Sequence, residues 1–487
     1  MSAERLEHKV VSGVVWSFAE KFLTMLVQMV VSIIVARRLM PEDFGVMAIL
    51  TFFTSVALTI VDSGFSQTLI RKREPSDSDY RSVFLFNVVV ALVLYFVLWA
   101  LAAPIARFYG HSVIRDVAPV LFLLLPINSL CVVQTVMFTR EFRFKLLSNI
   151  VFFASLVSGV VAVAMAVAGC GIWALVAQRL LQMGIKAVAF WLIRRWRVRG
   201  GVSLSALREM APFSLRLLAT DLIASIYNNV AQLFVGKIYS TASLGYYSQA
   251  QKLKDLAVIS TVQSVQGVTY PALSKLSADE EKFSAGYERI VRLLSFVLFP
   301  AMLGLVAISS DMFMLLLGER WMPTVPYFRI LALSGMVYPL AMVGYNVLKI
   351  KSDGRLVVRL EVVKRVVMTL VLCVTIPTGI EALAWGMTAM AFVEFLLNSG
   401  FALRLMSFGV VRLAKALLPS MLLSLVVYFG LEILNPHLAH LSVALRLTAD
   451  IALAVVSYIA LAWALRLRAF HEVIDLIKGL IFKSKDN

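Results

Sequence analysis

The residues best placed to do chemistry in this 487-residue chain lie where charge is least expected. In the apolar run VVWSFAEKFLTMLVQMVVSIIVARR, polar residues fall at Ser17, Glu20, Lys21, Thr24, Gln28 and Ser32. Steps of three and four put them on one face of a helix. A later run repeats the design with Ser214, Asp221, Ser225, Asn228, Asn229 and Gln232. The runs that follow these two carry Thr51, Ser55, Thr59, Asp62 and Ser66, and Ser248, Lys252, Asp255, Gln263 and Gln266. Four helices are thus expected to be apolar on three sides and hydrophilic along one. More charges interrupt apolar runs at Arg179, Lys186, Arg216, Lys254, Glu361, Lys364, Arg365 and Glu394. Arg as a fork and Lys as a point charge can hold an anion. About eight basic against six acidic groups in these runs slightly favour an anionic ligand.

The elements that must position these groups are membrane-spanning helices. Hydrophobic residues make up 60% of the chain and charged residues 15%, and the mean hydropathy is +0.86. A span needs about 20 apolar residues, and about fourteen such runs follow one another. They are continuous rather than alternating, which excludes a β-barrel. A charge at the bilayer centre costs about 2.5–3.5 kcal/mol, while a central Leu or Phe returns only about 0.3–0.6. Glu20 and Lys21 together therefore cancel roughly ten apolar residues unless they are paired or hydrated. The polar faces are expected to line a wet cavity rather than lipid. Ion pairing that only fixes helix packing is the alternative for any single residue.

The net charge of +17 could suggest nucleic acid, but its distribution speaks for topology. With a cytoplasmic start, about 30 Lys/Arg fall inside and about 8 outside, which puts both termini in the cytoplasm and anionic headgroups against the basic loops. The first run is too long for a signal-peptide core and no cleavage site follows it, so it is expected to be retained. Cys131, Cys170 and Cys373 make neither a disulfide framework nor a metal spacing. The five histidines are expected in loops or tails, and no metal site or cofactor is expected. No phosphate-binding GxxxxGK[ST] loop is present.

An internal repeat appears at an offset of about 200 residues. RRLMPEDFGVMA corresponds to KIYSTASLGYYS, with Gly45 over Gly245, and RFYG to LLLGERW. Lys21 then lies over Asp221, Gln28 over Asn228 and Ser32 over Gln232. The expected organisation is a six-helix bundle over 1–200, its parallel repeat over 201–411, two extra spans over 412–466 and a cytoplasmic tail over 467–487. A substrate path is expected between the bundles. Tyr227, Tyr246, Tyr247, Tyr345 and Trp385 could stack on sugar faces, or simply pack.

The segments ARRLMPEDFGVMA, DSGFSQTLIRKREPSDSDYRSVFLFN, REFRFK, GCGIWALVAQ, SLGYYSQAQKL, TYPALSKL and LLLGERWMPTVPYFRILALSGMVYP resemble the polysaccharide-transporter flippases, especially the colanic-acid and teichuronic-acid exporter branch. The resemblance runs from about residue 10 to 355 in order and spacing. It implies the fold of the multidrug/oligosaccharidyl-lipid/polysaccharide exporter superfamily, an all-α V-shaped pair of bundles. It also implies, without an enzymatic step, translocation of an undecaprenyl-diphosphate oligosaccharide to the periplasmic leaflet of a bacterial cytoplasmic membrane. Basic cavity residues in such flippases make Lys21, Arg179, Arg216, Lys252 and Lys364 the diphosphate candidates. The acidic load of Glu20, Asp62, Asp221, Asp255, Glu361 and Glu394 makes this chain's cavity mixed rather than simply cationic.

The leading functional expectation is alternating access coupled to H⁺ or Na⁺, with Asp221, Glu394, Glu20 and Asp62 as coupling-ion candidates. Thr24, Gln28, Asn228, Gln232 and Asp255 are expected to line the cavity. Partners would be the lipid-linked oligosaccharide, membrane lipids and glycosyltransferase or polymerase machinery. A multidrug or organic-cation antiporter should have a smaller, more acidic cavity. A polymerase or ligase of lipid-linked glycans should carry a large outer loop, whereas AGCGI and IPTGIE are short. A lipid scaffold would leave the repeated polar stripes unexplained.

Overall fold

A computed structural model of the chain describes residues 23–62, 64–194, 196, 201–352, 354–406 and 408–483; within these, the side chains of 259–268, 476, 477 and 479–483 are left aside. Glu20 and Lys21, with the rest of the N-terminal lead-in and His8, lie outside the described residues. Among the described residues the chain is helical and without strands. Helices α1 (23–38), α2 (Pro41–Asp62), α3 (Phe65–Arg71), α4 (Asp77–Tyr109), α5 (Val113–Phe122), α6 (Leu124–Arg140), α7 (Phe144–Val167), α8 (Trp173–Ile193) and α9 (Leu204–Ile238) follow in order. Then come α10 (Thr241–Lys275), α11 (Glu280–Ala307), α12 (Ser309–Leu316), α13 (Val325–Lys351), α14 (Arg355–Thr378), α15 (Ile380–Leu405), α16 (Val410–Leu434), α17 (Val443–Ala464) and α18 (Arg468–Lys483).

Ten helical stretches among the described residues are long and apolar enough to cross a membrane. Helices α9, α10 and α14 are long enough but stand outside that set. They carry Arg216, Asp221, Asn228 and Gln232, then Lys252, Lys254 and Asp255, then Glu361, Lys364 and Arg365. A helix that is both long and polar in such a chain needs partners for its charges.

Helix ends follow their sequence signals, and they repeat. Ser76 and Asp79 form a reciprocal capping box at the start of α4, and Asp279 caps α11 by accepting from the Lys282 backbone N–H. The polar stretches 77–81 and 280–289 thus open helices α4 and α11. The hydrogen bond with Asp79 holds the Lys72 ammonium above its ordinary range, and the one with Lys282 holds the Asp279 carboxyl below the usual carboxylate range. Gly110 closes α4 at φ 73°, and Gly318, its counterpart in the repeat, stands at φ 90°. Only glycine takes these values without strain. The fourth run, expected as one span, is divided into α5 and α6 at Leu123.

Contacts divide the chain into two compact units, Met1–Ser248 and Gln249–Asn487. Helix α9, which begins the second sequence repeat, packs on the first unit: Ala206 and Met210 join Phe65, Leu69, Val83, Phe84 and Met137 in one apolar cluster. The Ser214 and Thr68 hydroxyls meet at 2.7 Å. In the second unit, Phe283, Tyr287, Leu340, Val343 and Val347 lead the core. The stretch expected as a cytoplasmic tail contains α18, whose Ala469, Phe470 and Val473 pack with Tyr458 and Ala462 of α17. His471 lies on α18.

One arginine organises the short helix α3. Arg140 Nη1 donates to the carbonyls of Leu69 and Ile70, both at 2.9 Å, and of Lys72 at 2.6 Å; Nη2 donates to Arg73 at 3.0 Å. A five-donor planar fork can satisfy several orphan carbonyls at a helix end, and a lysine cannot match it. Arg140→Ala is expected to destabilise the chain by about 2–4 kcal/mol, with Arg140→Lys recovering part of the loss. Thermal unfolding of the detergent-purified variants checks this, and an unchanged midpoint for Arg140→Ala would refute it.

Candidate polar sites at membrane depth

In the first unit the polar face of α1 is described from Thr24 onward. Thr24 and Ser32 are buried and Gln28 half-buried. On α9, Asn228 is exposed and Gln232 half-buried, and the Gln232 Oε1 is enclosed without a donor among the described residues. Asn229 is held on its own helix by a 2.9 Å bond from Nδ2 to the Ser225 carbonyl. Asp62, at the end of α2, accepts from the Ser66 hydroxyl and has Asp221 of α9 and Lys186 of α8 as electrostatic neighbours. Two acids and one base thus come together from three helices. Lys186 was visible in the sequence as a charge within a span, but periodicity did not link it to Asp62. Its Nζ also lies 5.4 Å from the centre of the Phe190 ring. Arg179 and Arg216 are exposed on α8 and α9.

The second unit holds a denser constellation. Lys364 is 4% exposed, its Nζ lies 2.7 Å from Glu361 Oε1, and it stands 5.0 Å from the centre of the Tyr345 ring. Lys349 approaches the same ring at 4.5 Å, and Arg365 reaches the other Glu361 oxygen at 3.7 Å. Glu394 of α15 has Lys364, Glu361 and Arg365 as electrostatic neighbours. Tyr338 connects this group to Asp255 of α10, which itself pairs with Lys254 at 2.6 Å. Lys252 is exposed one turn away on α10. Four helices, α10, α13, α14 and α15, therefore bring acids, bases and two tyrosines to one place.

This arrangement explains how such a load of charge is tolerated. Buried acids and bases are stable when paired and hydrogen-bonded, and each is costly when its partner is removed. The pairing also sets what the residues can do. Lys364 already binds Glu361, so an anion must compete with that carboxylate, while Arg365, Lys349 and Lys252 stand closer to solvent. Trp385 is half-exposed, as a stacking residue would be, but Tyr247 is 1% exposed and belongs to the packed interior. Among the described residues no group of three or more His, Cys, Asp and Glu side chains is arranged to hold a metal ion.

The Lys364–Glu361 pair is testable as a unit. Lys364→Met and Glu361→Gln singly are expected to destabilise the protein by about 1–3 kcal/mol each, and the double variant by less than their sum. A double-mutant cycle on thermal unfolding measures the coupling, and additivity would show that the two side chains do not depend on each other.

Comparison with known proteins places this geometry in a family. The model of the family described as "Polysaccharide biosynthesis protein" matches residues 34–326. The chain is 22% identical to the teichuronic acid biosynthesis protein TuaB of Bacillus subtilis (strain 168), covering 93% of this chain and 95% of that one. It is 23% identical to the succinoglycan biosynthesis transport protein ExoT of Rhizobium meliloti (strain 1021), over 96% of each. Lipopolysaccharide biosynthesis protein WzxC of Escherichia coli (strain K12) is 22% identical over 68% of each chain. Among solved structures, the lipid II flippase MurJ in an inward closed conformation superposes with a TM-score of 0.72 at 14% identity, over 95% of this chain and all of that one. An inward-facing multidrug resistance transporter of the MATE family gives 0.60 at 14% identity, over 79% and 94%. These superpositions show that the chain shares the all-α fold of those two transporters. With more than half of its length matched by the family model, the chain belongs to the polysaccharide biosynthesis protein family.

Proposed function

We propose that the protein is a flippase for undecaprenyl-diphosphate-linked oligosaccharide repeat units. It moves them from the cytoplasmic to the outer leaflet of a bacterial cytoplasmic membrane by alternating access, with both termini in the cytoplasm. The observation that carries the reading is the polar load within the long helices, as electrostatic neighbours on α2, α8 and α9 and as ion pairs with their neighbours on α10, α13, α14 and α15. An amphiphile with a charged, sugar-bearing head needs such a path, and its tail needs none. The names of TuaB, ExoT and WzxC, all of polysaccharide assembly, agree with this passenger. Arg216, Lys252, Arg179, Lys364 and Lys21 are the candidates for the diphosphate. Asp221, Glu394, Asp62 and Glu20 are the candidates for H⁺ or Na⁺ coupling.

A closed end in the first unit supports alternating access. A Cβ at Gly45, in the first turn of α2, would overlap the Thr241 carbonyl, and a Cβ at Gly245, in the first turn of α10, would overlap the Pro41 carbonyl. The two starts, equivalent in the repeat, thus clasp each other backbone to backbone. His111 Nε2 lies 2.6 Å from the Thr241 hydroxyl, and the Tyr109 hydroxyl donates to the Leu233 carbonyl at 3.3 Å. With a cytoplasmic N-terminus this is the outer end, closed while the path opens inward.

Two measurements test the proposal. In liposomes, a labelled undecaprenyl-diphosphate sugar should change leaflet, faster under an imposed pH or Na⁺ gradient, and Arg216→Ala or Lys252→Ala should abolish export at normal protein level. A lipid that never leaves its starting leaflet under any gradient would sink the flippase reading. For the clasp, cysteines at 111 and 241 should be joined by a short bismaleimide, and at least tenfold more slowly when Gly45→Ala is added. Equal rates would exclude the clasp as a gate.

A further inference from the structure

A second charged cluster lies away from these sites, on the last two spans and the short helix α12. Both oxygens of the Asp311 carboxylate receive the Arg446 guanidinium, from Nε and Nη2. One turn along α17, Asp450 is 2% exposed, and its Oδ1 meets no donor among the described residues. Its charged neighbours are Asp311 of α12, Arg446 of its own helix and Glu432 of α16. Tyr428 stands beside Glu432 on α16, with Arg329 of α13 near it. Arg329 is turned to α12, donating from Nε to the Ser309 hydroxyl at 2.8 Å and from Nη2 to the Ser310 hydroxyl at 3.1 Å.

The charges do not balance. Three carboxylates, Asp311, Glu432 and Asp450, face two guanidiniums, Arg329 and Arg446. Glu432 is exposed and can be hydrated. The fork of Arg446 is occupied by Asp311, so the charge left over is that of Asp450, the most buried of the three. An ionised carboxylate in that position costs several kcal/mol. Its oxygens and the neighbouring Asp311 carboxylate are hard donors that suit a proton or a small hard cation, not an anion.

We propose that Asp450 is the centre of a monovalent-cation site built by α12, α16 and α17, occupied by H⁺ or Na⁺ and separate from the polar path. This gives the two C-terminal spans a binding role rather than a purely structural one. The site does not depend on the transport reading, and its test uses no transport assay.

The experiment compares the purified full chain with Asp450→Asn and Asp450→Ala; the alanine variant serves if the amide variant does not accumulate. Infrared difference spectra in choline chloride read a proton: the wild type should show a protonated-carboxyl band that the variants lack. Thermal unfolding against NaCl, with choline chloride holding ionic strength constant, reads Na⁺: the wild-type midpoint should rise and saturate while the variants stay flat. A band lost in the variants identifies H⁺, and a midpoint response lost in the variants identifies Na⁺. Variants that match the wild type in both measurements overturn the site, leaving Asp450 an ordinary member of the ion-pair network.

Discussion

A hydrocarbon environment offers no water to a charge, and the arrangement of this chain follows from that shortage. Each ionisable side chain within a span must find a partner, reach an aqueous path, or give up its charge. The Lys364–Glu361–Arg365 group takes the first solution on a single helix, with α13 and α15 closing around it. Arg446 and Asp311 take it between two helices. Asp62, Asp221 and Lys186 gather from three helices as electrostatic neighbours. Because each solution fixes which helices must touch, the charges do more to specify neighbours than the interchangeable apolar surfaces around them. Val362, Val363 and Val366 of α14, all exposed, contact lipid well in many rotations of the helix, whereas Lys364 does so in none.

The same shortage acts on the backbone wherever a helix stops. The chain answers with local devices at each terminus: the Ser76–Asp79 capping box, the Asp279 cap, glycines at positive φ and the Arg140 fork over the end of α3. Several segments that resemble the polysaccharide transporters are these devices. DSGFSQTLIRKREPSDSDYRS holds Gly64, α3 and the capping box, and REFRFK begins with Arg140. Such segments specify how α2, α3, α4 and α6 are joined, and they carry fold more directly than ligand choice.

Much of this was legible in the sequence. Apolar runs separated by short basic breaks gave the helices, since a span of given length and hydropathy has few alternatives. The polar stripes were legible because three- and four-residue spacing puts residues on one face. Which stripes meet was not, because periodicity describes one helix at a time. The Asp62–Lys186 neighbourhood and the placing of Glu361, Glu394 and Asp255 around Tyr338 need tertiary packing. The break between α5 and α6 was missed since an apolar run reads the same whether or not its axis turns. Asp450 was missed for another reason: alone in a run with no polar neighbour at three or four residues before it but Arg446, it made no stripe. Tyr247 was left between stacking and packing because an aromatic side chain has the same spacing in a core as in a cavity, and its burial decides for packing.

The repeat has its own physical consequence at Gly45 and Gly245. When two equivalent segments approach across a local pseudo-symmetry, a residue of each must meet the backbone of the other, so one small residue implies its counterpart. Pro41 and Thr241 occupy equivalent first positions and offer their carbonyls; Gly45 and Gly245 occupy equivalent fifth positions and receive them. Weak Cα–H contacts of this kind are worth about 0.5–1 kcal/mol each. That is small enough for the clasp to open at modest cost and, with two contacts acting together, enough to bias which form is populated. The glycine correspondence seen first as an alignment of RRLMPEDFG with KIYSTASLG is therefore a mutual requirement of the two chain segments, each fixing the residue that the other can carry.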